Sequence, residues 1–465
     1  MSALRPQESS TGPREVWHRL DALVDWERVQ RARMRVDLGP ELDLMHRLGD
    51  PHRAVKTIHV TGSKGKGSVC ALIDAGLRHA GYRTARYASP HVVHVTERVN
   101  LQGQPVTEAL MADALQRSLD ARDAACLEGT PAASASWFDV VTAAAFCVFE
   151  QVRVDWAVVE VGLGGRLDST NVVDPELAII TNIGLEHTDI LGPTRTHIAS
   201  EKAGIIKPGR PVLTTEPLEG EAGRVIATRA QQCASPWIWA DTQGCVGFTA
   251  SNLKLARAAL DELGRQGHSS PQRWLPLSAL DLPDDVAASV ALPGRAEWLR
   301  LPLHLSQTTQ EPAVSLQVVL DAAHVDFAMT ALLDELAGKP ALQSPPVVVL
   351  ALASDKNAQA IVQRLTGRVQ AVVCTELAAP SRCWPAAQLQ ALCEAQGLTS
   401  HAELTPLNAL EWAVSWALEW TSQKASDRAR DHDASWVLVT GSFYLVKELR
   451  PILLERGASH VPTSC

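Results

Sequence analysis

The stretch Ile58-His-Val-Thr-Gly-Ser-Lys-Gly-Lys-Gly-Ser68 joins a β-branched apolar run to a helical one through a glycine-rich loop with an embedded lysine. A strand that turns through glycines into a helix lets backbone N–H groups converge on an anion at the helix's positive end. Glycines at 62, 65 and 67 permit that turn, Lys66 can reach outer phosphates, and Ser68 offers a hydroxyl to Mg²⁺. The spacing departs from Gly-x-x-x-x-Gly-Lys-Ser/Thr, because Gly67 stands between Lys66 and Ser68. A glycine loop by itself also suits a tight packing turn, so its reading depends on what surrounds it.

Outward from the loop, short apolar strands alternate with helical stretches. Ala157-Val-Val-Glu-Val161 and Leu177-Ala-Ile-Ile-Thr181 are the continuous apolar runs of strands buried on both faces of a parallel sheet. An alanine-rich helix over 142–152 fits between such strands, and an amphipathic helix over 16–29 precedes the loop. This order predicts a doubly wound α/β domain of P-loop type. The same grammar restarts after the stretch 271–285 and the hinge-like Leu292-Pro-Gly-Arg295, with strands over 314–320, 347–353, 369–375 and 435–440 alternating with helices over 327–336, 358–365 and 407–420. At 465 residues the chain exceeds one ordinary core. The boundary is placed at 292, giving an ATP-binding domain over 14–291 and a smaller Rossmann-like α/β domain over 292–465.

Composition is that of a globular protein. With 43 Lys+Arg against 52 Asp+Glu, the net charge of -9 argues against nucleic acid as a partner. The nine cysteines lack Cys-x-x-Cys or zinc-type Cys/His spacing and read as reduced thiols of a cytoplasmic chain. Residues 1 to about 13 carry no apolar core of signal-peptide length and read as a disordered leader, and no run approaches the roughly 20 apolar residues of a membrane span. The mixed-charge run 424–433 reads as a solvated loop. With no long unpaired apolar stripe, a monomer is expected.

Four further motifs follow predicted strands, where ligands of open α/β sheets gather. Tyr87-Ala-Ser-Pro-His91 precedes Glu97-Arg-Val-Asn100, and Ser89 is either a turn former before proline or an oxygen donor. In Glu160-Val-Gly-Leu-Gly-Gly-Arg-Leu-Asp168 a carboxylate ends an apolar strand and faces glycines, as a metal-bound acid does; the alternative is a capping or ion-paired Glu160. Thr181-Asn-Ile-Gly-Leu-Glu-His187-Thr-Asp189 brings a histidine that is either hydrogen-bonded for structure or, with Ser89 and Glu160, part of a set that accepts a Mg²⁺-type cation. In Glu201-Lys-Ala-Gly-Ile-Ile-Lys-Pro-Gly209, Lys202 precedes small and apolar residues and can point inward, where a lysine of lowered pKa is open to covalent modification. In the second domain, Leu320-Asp-Ala-Ala-His324 places Asp321 and His324 at a strand end, and Arg295 at the junction either reaches nucleotide phosphate or makes an interdomain salt bridge.

Together these motifs resemble the folylpolyglutamate synthase and dihydrofolate synthase family of the Mur-ligase group, from Leu48-Gly-Asp-Pro51 to Thr440-Gly-Ser-Phe-Tyr-Leu-Val446. The Ser-Pro-His and Glu-Val-Gly-Leu-Gly-Gly-Arg-Leu-Asp strings look like the folate branch rather than the cell-wall branch. The resemblance implies that Gly65, Lys66, Gly67 and Ser68 hold ATP phosphates, that Ser89, Glu160 and His187 bind magnesium, with two Mg²⁺ ions in the site, and that Lys202 matches the lysine that family members can carry as a carbamate. It further implies that Asn252 contacts adenine and that Arg295 and Asp321 complete the nucleotide site. Ser136-Trp-Phe-Asp139 with Leu167, Asp168 and Ser169 fall where the family binds the pterin, and His324 and Ser442 match further family motifs. Trp137 and Phe138 are equally well read as core packing. The sequence departs from the family pattern at Ser63 and Lys64, which replace Thr-Asn, at Asp139 in place of glutamate, and at Ala322 and Val325 in the Asp-Gly-Ala-His-Asn motif.

The implied reaction is ATP-dependent attachment of L-glutamate to dihydropteroate or to a folate through an acyl phosphate. Two competing readings stand beside it: a Mur-like ligase acting on another carboxylate or amino acid, motivated by those departures, and a nucleotide-binding regulatory protein without ligation.

Overall fold

The computed structural model describes residues 13–25, 37–267, 281–290, 292–303, 314–377, 383–425 and 435–461. The leader, residues 26–29 of the expected 16–29 helix, most of the stretch 271–285 and most of the run 424–433 lie outside the described residues; that helix in fact spans Pro13–Asp21, and residues 22–25 after it are a turn and coil. The chain divides into two compact units, 1–241 with 255–282, and 242–254 with 283–465.

In the first unit the strands are β1 (Lys56–Thr61), β2 (Thr84–Tyr87), β3 (Val99–Leu101), β4 (Gln104–Pro105), β5 (Trp156–Glu160), β6 (Leu177–Ile180), β7 (Val212–Thr214) and β8 (Trp237–Trp239). They form one sheet in the order β4-β3-β2-β5-β1-β6-β7-β8. From β2 to β8 every neighbouring pair is parallel, whereas β3 and β4 add an antiparallel edge. The helices of this unit are α1 (Pro13–Asp21), α2 (Gly39–Arg47), α3 (Lys66–His79), α4 (Glu108–Glu128), α5 (Trp137–Val152), α6 (Thr188–Leu191), α7 (Arg195–Ala203) and α8 (Glu221–Gln232), and α9 (Gly247–Arg265) follows them. Helix α5 starts five residues before the alanine-rich run because Ser136 and Asp139 form a reciprocal capping box. It is apolar all round, and Val140 through Phe149 are buried without a break.

Strands β1, β5 and β6 are buried nearly throughout, which explains the apolar runs Trp156–Val159 of β5 and Leu177–Ile180 of β6. β1 also buries the polar residues Thr57, His59 and Thr61, and the His59 ring shares a hydrogen bond of 2.9 Å between Nε2 and Thr170 Oγ1. Burial, with the Lys207 charge adding to it, pulls this imidazole down to about 3, so it is neutral at ordinary pH.

The second unit holds α10 (Asp284–Ala288), β9 (Glu297–Leu303), β10 (Val314–Leu320), α11 (Asp326–Ala337), β11 (Val347–Leu350), α12 (Ala358–Leu365), β12 (Ala371–Thr375), α13 (Ala386–Ala395), β13 (Ser400–Glu403), α14 (Pro406–Ala425), β14 (Val437–Thr440), α15 (Phe443–Glu455) and β15 (Ser459–His460). Its sheet runs β13-β12-β11-β14-β10-β9-β15, parallel as far as β10, with β9 and β15 antiparallel. Both units are thus α/β with mostly parallel sheets, as the alternating sequence predicts.

Candidate active site

Register brings the sequence motifs to one edge of the first sheet. Val60 pairs with Glu160, Thr61 with Ile180, and Tyr87 with Val159. The segments that leave β1, β2, β5 and β6 therefore emerge side by side at the carboxyl ends of adjacent strands, where such sheets bind ligands.

The glycine loop is tied down at many points. Ser63 N–H donates to Asn182 O at 2.8 Å, and Lys64 N–H donates to Asn182 Oδ1 at 3.0 Å. Lys64 O accepts from Thr181 Oγ1 at 2.6 Å and from Asn182 Nδ2 at 2.9 Å. Gly62 has φ +144, and a Cβ there would lie 1.8 Å from Thr181 Oγ1, so only glycine fits between the two strands. Gly65 is the left-handed residue just before α3, and α3 opens at Lys66 itself. Lys66 Nζ donates to Gly62 O at 2.9 Å.

Lys202, on α7, is buried and donates to the same Gly62 O at 3.0 Å and to Glu186 Oε1 at 3.0 Å. Burial pulls its pKa below the usual lysine range, against the raising effect of Glu186. For Glu186, burial acts upward, yet the charges of Lys202, Lys66 and Lys64 hold it well below the usual carboxylate range. The second lysine of the loop, Lys64, thus enters the same charge balance. Helix α7 comes this close because residue 165 is glycine: a Cβ there would lie 2.9 Å from Glu201 O.

Ser89 and Glu160 are brought together, the Ser89 N–H donating to Glu160 Oε2 at 3.2 Å. Glu160 is 1% exposed. His187 begins α6 with a left-handed backbone, φ 48, on the loop that also carries Glu186. Among the described residues no three His, Cys, Asp or Glu side chains converge as a metal cage. As donor types, the Ser89 hydroxyl, the buried Glu160 carboxylate and the His187 imidazole suit a hard cation that keeps waters and takes its other ligands from phosphate.

The aromatic segment lies beside this edge. The Arg98 guanidinium, fully buried, stands 4.8 Å from the Trp137 ring centre and 6.0 Å from that of Phe138, and its Nε donates to His91 Nδ1 at 3.0 Å. Asp139 accepts from Ser136 N–H and Oγ–H, both at 2.7 Å, and from Ser169 Oγ at 2.5 Å. Asp168 accepts from Leu163 N–H at 2.8 Å and from Thr170 N–H at 3.0 Å. Burial pushes the Asp168 carboxyl up, opposed by these hydrogen bonds. Leu167 is half-buried beside it.

In the second unit, Asp321 accepts from Ala296 N–H at 2.7 Å and Ala323 N–H at 2.8 Å. The Arg295 guanidinium lies 5.8 Å from the Phe443 ring centre, His324 Nδ1 is 2.7 Å from Ala322 O, and Ser442 caps α15. Asn252, on α9, is buried.

Several supporting residues carried no role in the sequence reading. Glu97 accepts from three consecutive N–H groups, those of Val92, Val93 and His94, at 2.7 to 2.9 Å, and so fixes the loop after Ser89. Glu216 accepts from Ile183 N–H at 2.7 Å and from Arg195 at 2.9 Å, while Arg195 Nε donates to Ile183 O at 3.1 Å. This clamp holds the base of the loop that presents Glu186 and His187. Glu297 accepts from Gly294 N–H, Arg450 and His460 at 2.8 to 2.9 Å and fixes the turn at Arg295. Of the three, only Glu216, in Thr-Glu-Pro, stands beside a turn residue in sequence; nothing adjacent marks Glu97 or Glu297.

A glycine loop with converging lysines on a parallel sheet, followed by a second α/β unit, defines an ATP-dependent amide ligase of the Mur type. The Mur ligase middle domain matches residues 60–212. The chain is 31% identical over 358 residues to the dihydrofolate synthase/folylpolyglutamate synthase of Escherichia coli, covering 74% of this chain and 79% of that one. A solved structure of the Escherichia coli enzyme in complex with DHPP and ADP superposes with a TM-score of 0.72 at 26% identity, covering 95% of this chain and 98% of that one. A bifunctional folylpolyglutamate synthase/dihydrofolate synthase with Mn, AMPPNP and L-glutamate bound superposes with a TM-score of 0.71 at 27% identity, covering 96% and 99%. The chain belongs to the dihydrofolate synthase/folylpolyglutamate synthase family and is an ATP-dependent ligase. These relatives give no support to a ligase acting on a different carboxylate. Among the described residues no helix is long and apolar enough to cross a membrane.

Proposed function

We propose that this chain joins L-glutamate to the carboxylate of dihydropteroate, of a folate, or of both, with ATP as the source of activation. The observation that carries the reading is the convergence of Lys66 and Lys202 on the Gly62 carbonyl inside a loop built to receive phosphate. A carboxylate and an amine do not condense unaided in water; transfer of the γ-phosphoryl to the carboxylate supplies a leaving group. The amine of glutamate then attacks the acyl carbon, phosphate leaves, and an amide remains. Gly65, Gly67 and Ser68 hold the phosphates, and Lys66 leaves Gly62 O to neutralise the transferring oxygens. Ser89, Glu160 and His187 would hold Mg²⁺, which when bound spreads the phosphate charge.

Asn252, Arg295 and Asp321 belong to the nucleotide site in this reading, with 14–291 as the ATP-binding part and 292–465 as the Rossmann-like part; His324 and Ser442 serve the same site. The pterin lies against Ser136, Trp137, Phe138, Asp139, Leu167, Asp168 and Ser169. A carbamate on Lys202 would turn the donor now facing Glu186 into a second anion. Two facing anions require a cation between them, which is the physical reason to couple that modification to a second Mg²⁺. The protein acts as a monomer in the cytoplasm, a reading supported by scattered free thiols.

The test is ADP and product formation with MgATP, glutamate and either dihydropteroate or a reduced folate, with Lys66→Ala alongside. Amide product that vanishes in the variant supports the reading and names the acceptor. ATP binding without turnover on either acceptor overturns it.

A further inference from the structure

Arg295 stands between two residues with left-handed backbones, Gly294 with φ +65 and Ala296 with φ 48. Glycine adopts that region freely, but an alanine there is strained and persists only where its surroundings hold it. Two acids do the holding. Asp321 accepts the Ala296 N–H at 2.7 Å, and Glu297 accepts the Gly294 N–H at 2.9 Å. The Gly294 carbonyl in turn accepts from Ala322 N–H at 3.0 Å. The direction in which the Arg295 side chain leaves the turn is thus set by hydrogen bonds to both of its neighbours.

Asp321 belongs to a strand-end motif, whereas Glu297 belongs to none. Its carboxylate is buried, and Arg450 Nε donates to both of its oxygens at 2.9 Å. Oε1 also accepts from His460 Nε2 at 2.8 Å, and Oε2 from the Gly294 N–H. Arg450 lies on α15 and His460 on β15, whose register sets His460 against Leu299 of β9. Helix α15 also presses on the turn itself, since a Cβ at Gly294 would lie 2.7 Å from Val446 Cγ1. A buried carboxylate needs a cation and hydrogen bonds, and its bland role is to staple α15 to β9. That staple needs Arg450 alone. The reach of Glu297 to the Gly294 N–H on one side and to a half-exposed histidine on the other joins β15 to the turn that carries Arg295.

Resting on the reading that Arg295 belongs to the nucleotide site, we propose that Glu297, Arg450 and His460 are positioning residues for Arg295, and that strand β15 thereby sets the affinity for ATP. The three act through the turn and not on the nucleotide. A cation that meets phosphate in a fixed geometry binds more tightly when its backbone is already held, because less freedom is lost on binding. Without His460, Glu297 keeps Arg450 but loses one of the donors that fix Oε1, so the turn gains freedom that must be given up when phosphate arrives.

Calorimetry of MgAMPPNP binding to the full-length chain tests this in wild type, Arg295→Ala, His460→Ala, His460→Gln, Glu297→Gln and the double variant Arg295→Ala/His460→Ala. Arg295→Ala should weaken binding about tenfold or more, as loss of a charge-assisted hydrogen bond does. His460→Ala should weaken it about three- to fivefold, and Glu297→Gln by more, whereas His460→Gln, which keeps an N–H donor, should recover most of the histidine's share. In the Arg295→Ala background, His460→Ala should have no further effect, since the residue through which it acts is gone. A merely structural role gives the same loss in both backgrounds, or none in either, and each of these results overturns the proposal. Should Glu297→Gln not fold, the half-exposed His460 still completes the cycle. If Arg295→Ala binds MgAMPPNP as wild type does, the reading of Arg295 as a nucleotide residue fails and the proposal with it, an outcome distinct from one in which Arg295 matters and His460 does not.

Discussion

Removing Glu186 should cost the first unit more stability than removing Lys202. The two side chains are 8% and 2% exposed and meet at 3.0 Å. Unit charges at that distance attract by about 5 kcal/mol at an effective dielectric near 20, and desolvation of both groups offsets much of it. In Glu186→Gln the lysine keeps the Gly62 carbonyl but loses its anion, while Lys66 still repels it. Stranding a buried charge costs about 3–5 kcal/mol. The upper limit is near 4.6 kcal/mol at pH 7, because above that the lysine gives up its proton instead. In Lys202→Met the carboxylate retains the charges of Lys66 and Lys64, so a loss of about 2 kcal/mol is expected. The double variant strands nothing and should be destabilised by no more than the worse single variant, a coupling of about 2 kcal/mol. Hydrogen exchange of β1 and β6 amides in EDTA reads the opening free energy of this unit without assuming that the whole chain unfolds in one step. Losses that add to within about 0.5 kcal/mol would show that the two groups do not act as a pair.

Lys66→Ala should lower turnover by about a thousandfold or more, since a charge that meets the transferring phosphoryl is lost; near-normal ADP release would remove Lys66 from the chemistry. Gly62→Ala should destabilise the first unit by more than about 2 kcal/mol, because its Cβ would fall 1.8 Å from Thr181 Oγ1. Adding Thr181→Ala should restore part of the loss, and its failure to do so in urea unfolding would point away from that clash. His59 binds its proton only near pH 3 when folded and near 6.5 when unfolded. The unfolded chain therefore binds more protons between those values, so stability is full above about 6.5 and falls as pH drops, by up to about 1.4 kcal/mol per pH unit. His59→Gln should remove that part of the slope in urea titrations from pH 7 to 5, and an unchanged slope would show that other groups set it.

Much of the architecture was legible because the parallel strands had to be apolar on both faces. Leu177-Ala-Ile-Ile and Ala157-Val-Val needed no partner to be recognised, and an acid directly after Val-Val marked Glu160 as a strand end that faces something polar. The inward lysine was readable as well, since Lys202 is followed by small and apolar residues. The alanine run marks only the middle of α5, which begins five residues earlier at the capping box spelled by Ser-Trp-Phe-Asp. What the sequence withheld were the partnerships. Glu186 stood in a quoted motif with no role, because its partner lies on another helix and their meeting point is the carbonyl of Gly62 on a third segment. Arg98 followed a threonine and a glutamate in an ordinary polar string, and nothing local announced that its guanidinium would be buried against Trp137.

The division has a chemical cause. Phosphate is recognised largely by backbone N–H groups, which demand a particular succession of glycines and a helix start, so that half of the site is written as contiguous sequence. Charge balance and substrate choice depend on side chains brought together by register, and register is a property of the sheet rather than of any one segment. Glu41 is the extreme case. In sequence it is one acid in the first turn of a helix, indistinguishable from a dipole-stabilising residue, and only its full burial, with no hydrogen-bond partner among the described residues, sets it apart. Residues that set the charge balance around the loop are therefore found where side chains from separate segments meet, as Lys202 and Glu186 do beside the Gly62 carbonyl, and not by motif alone.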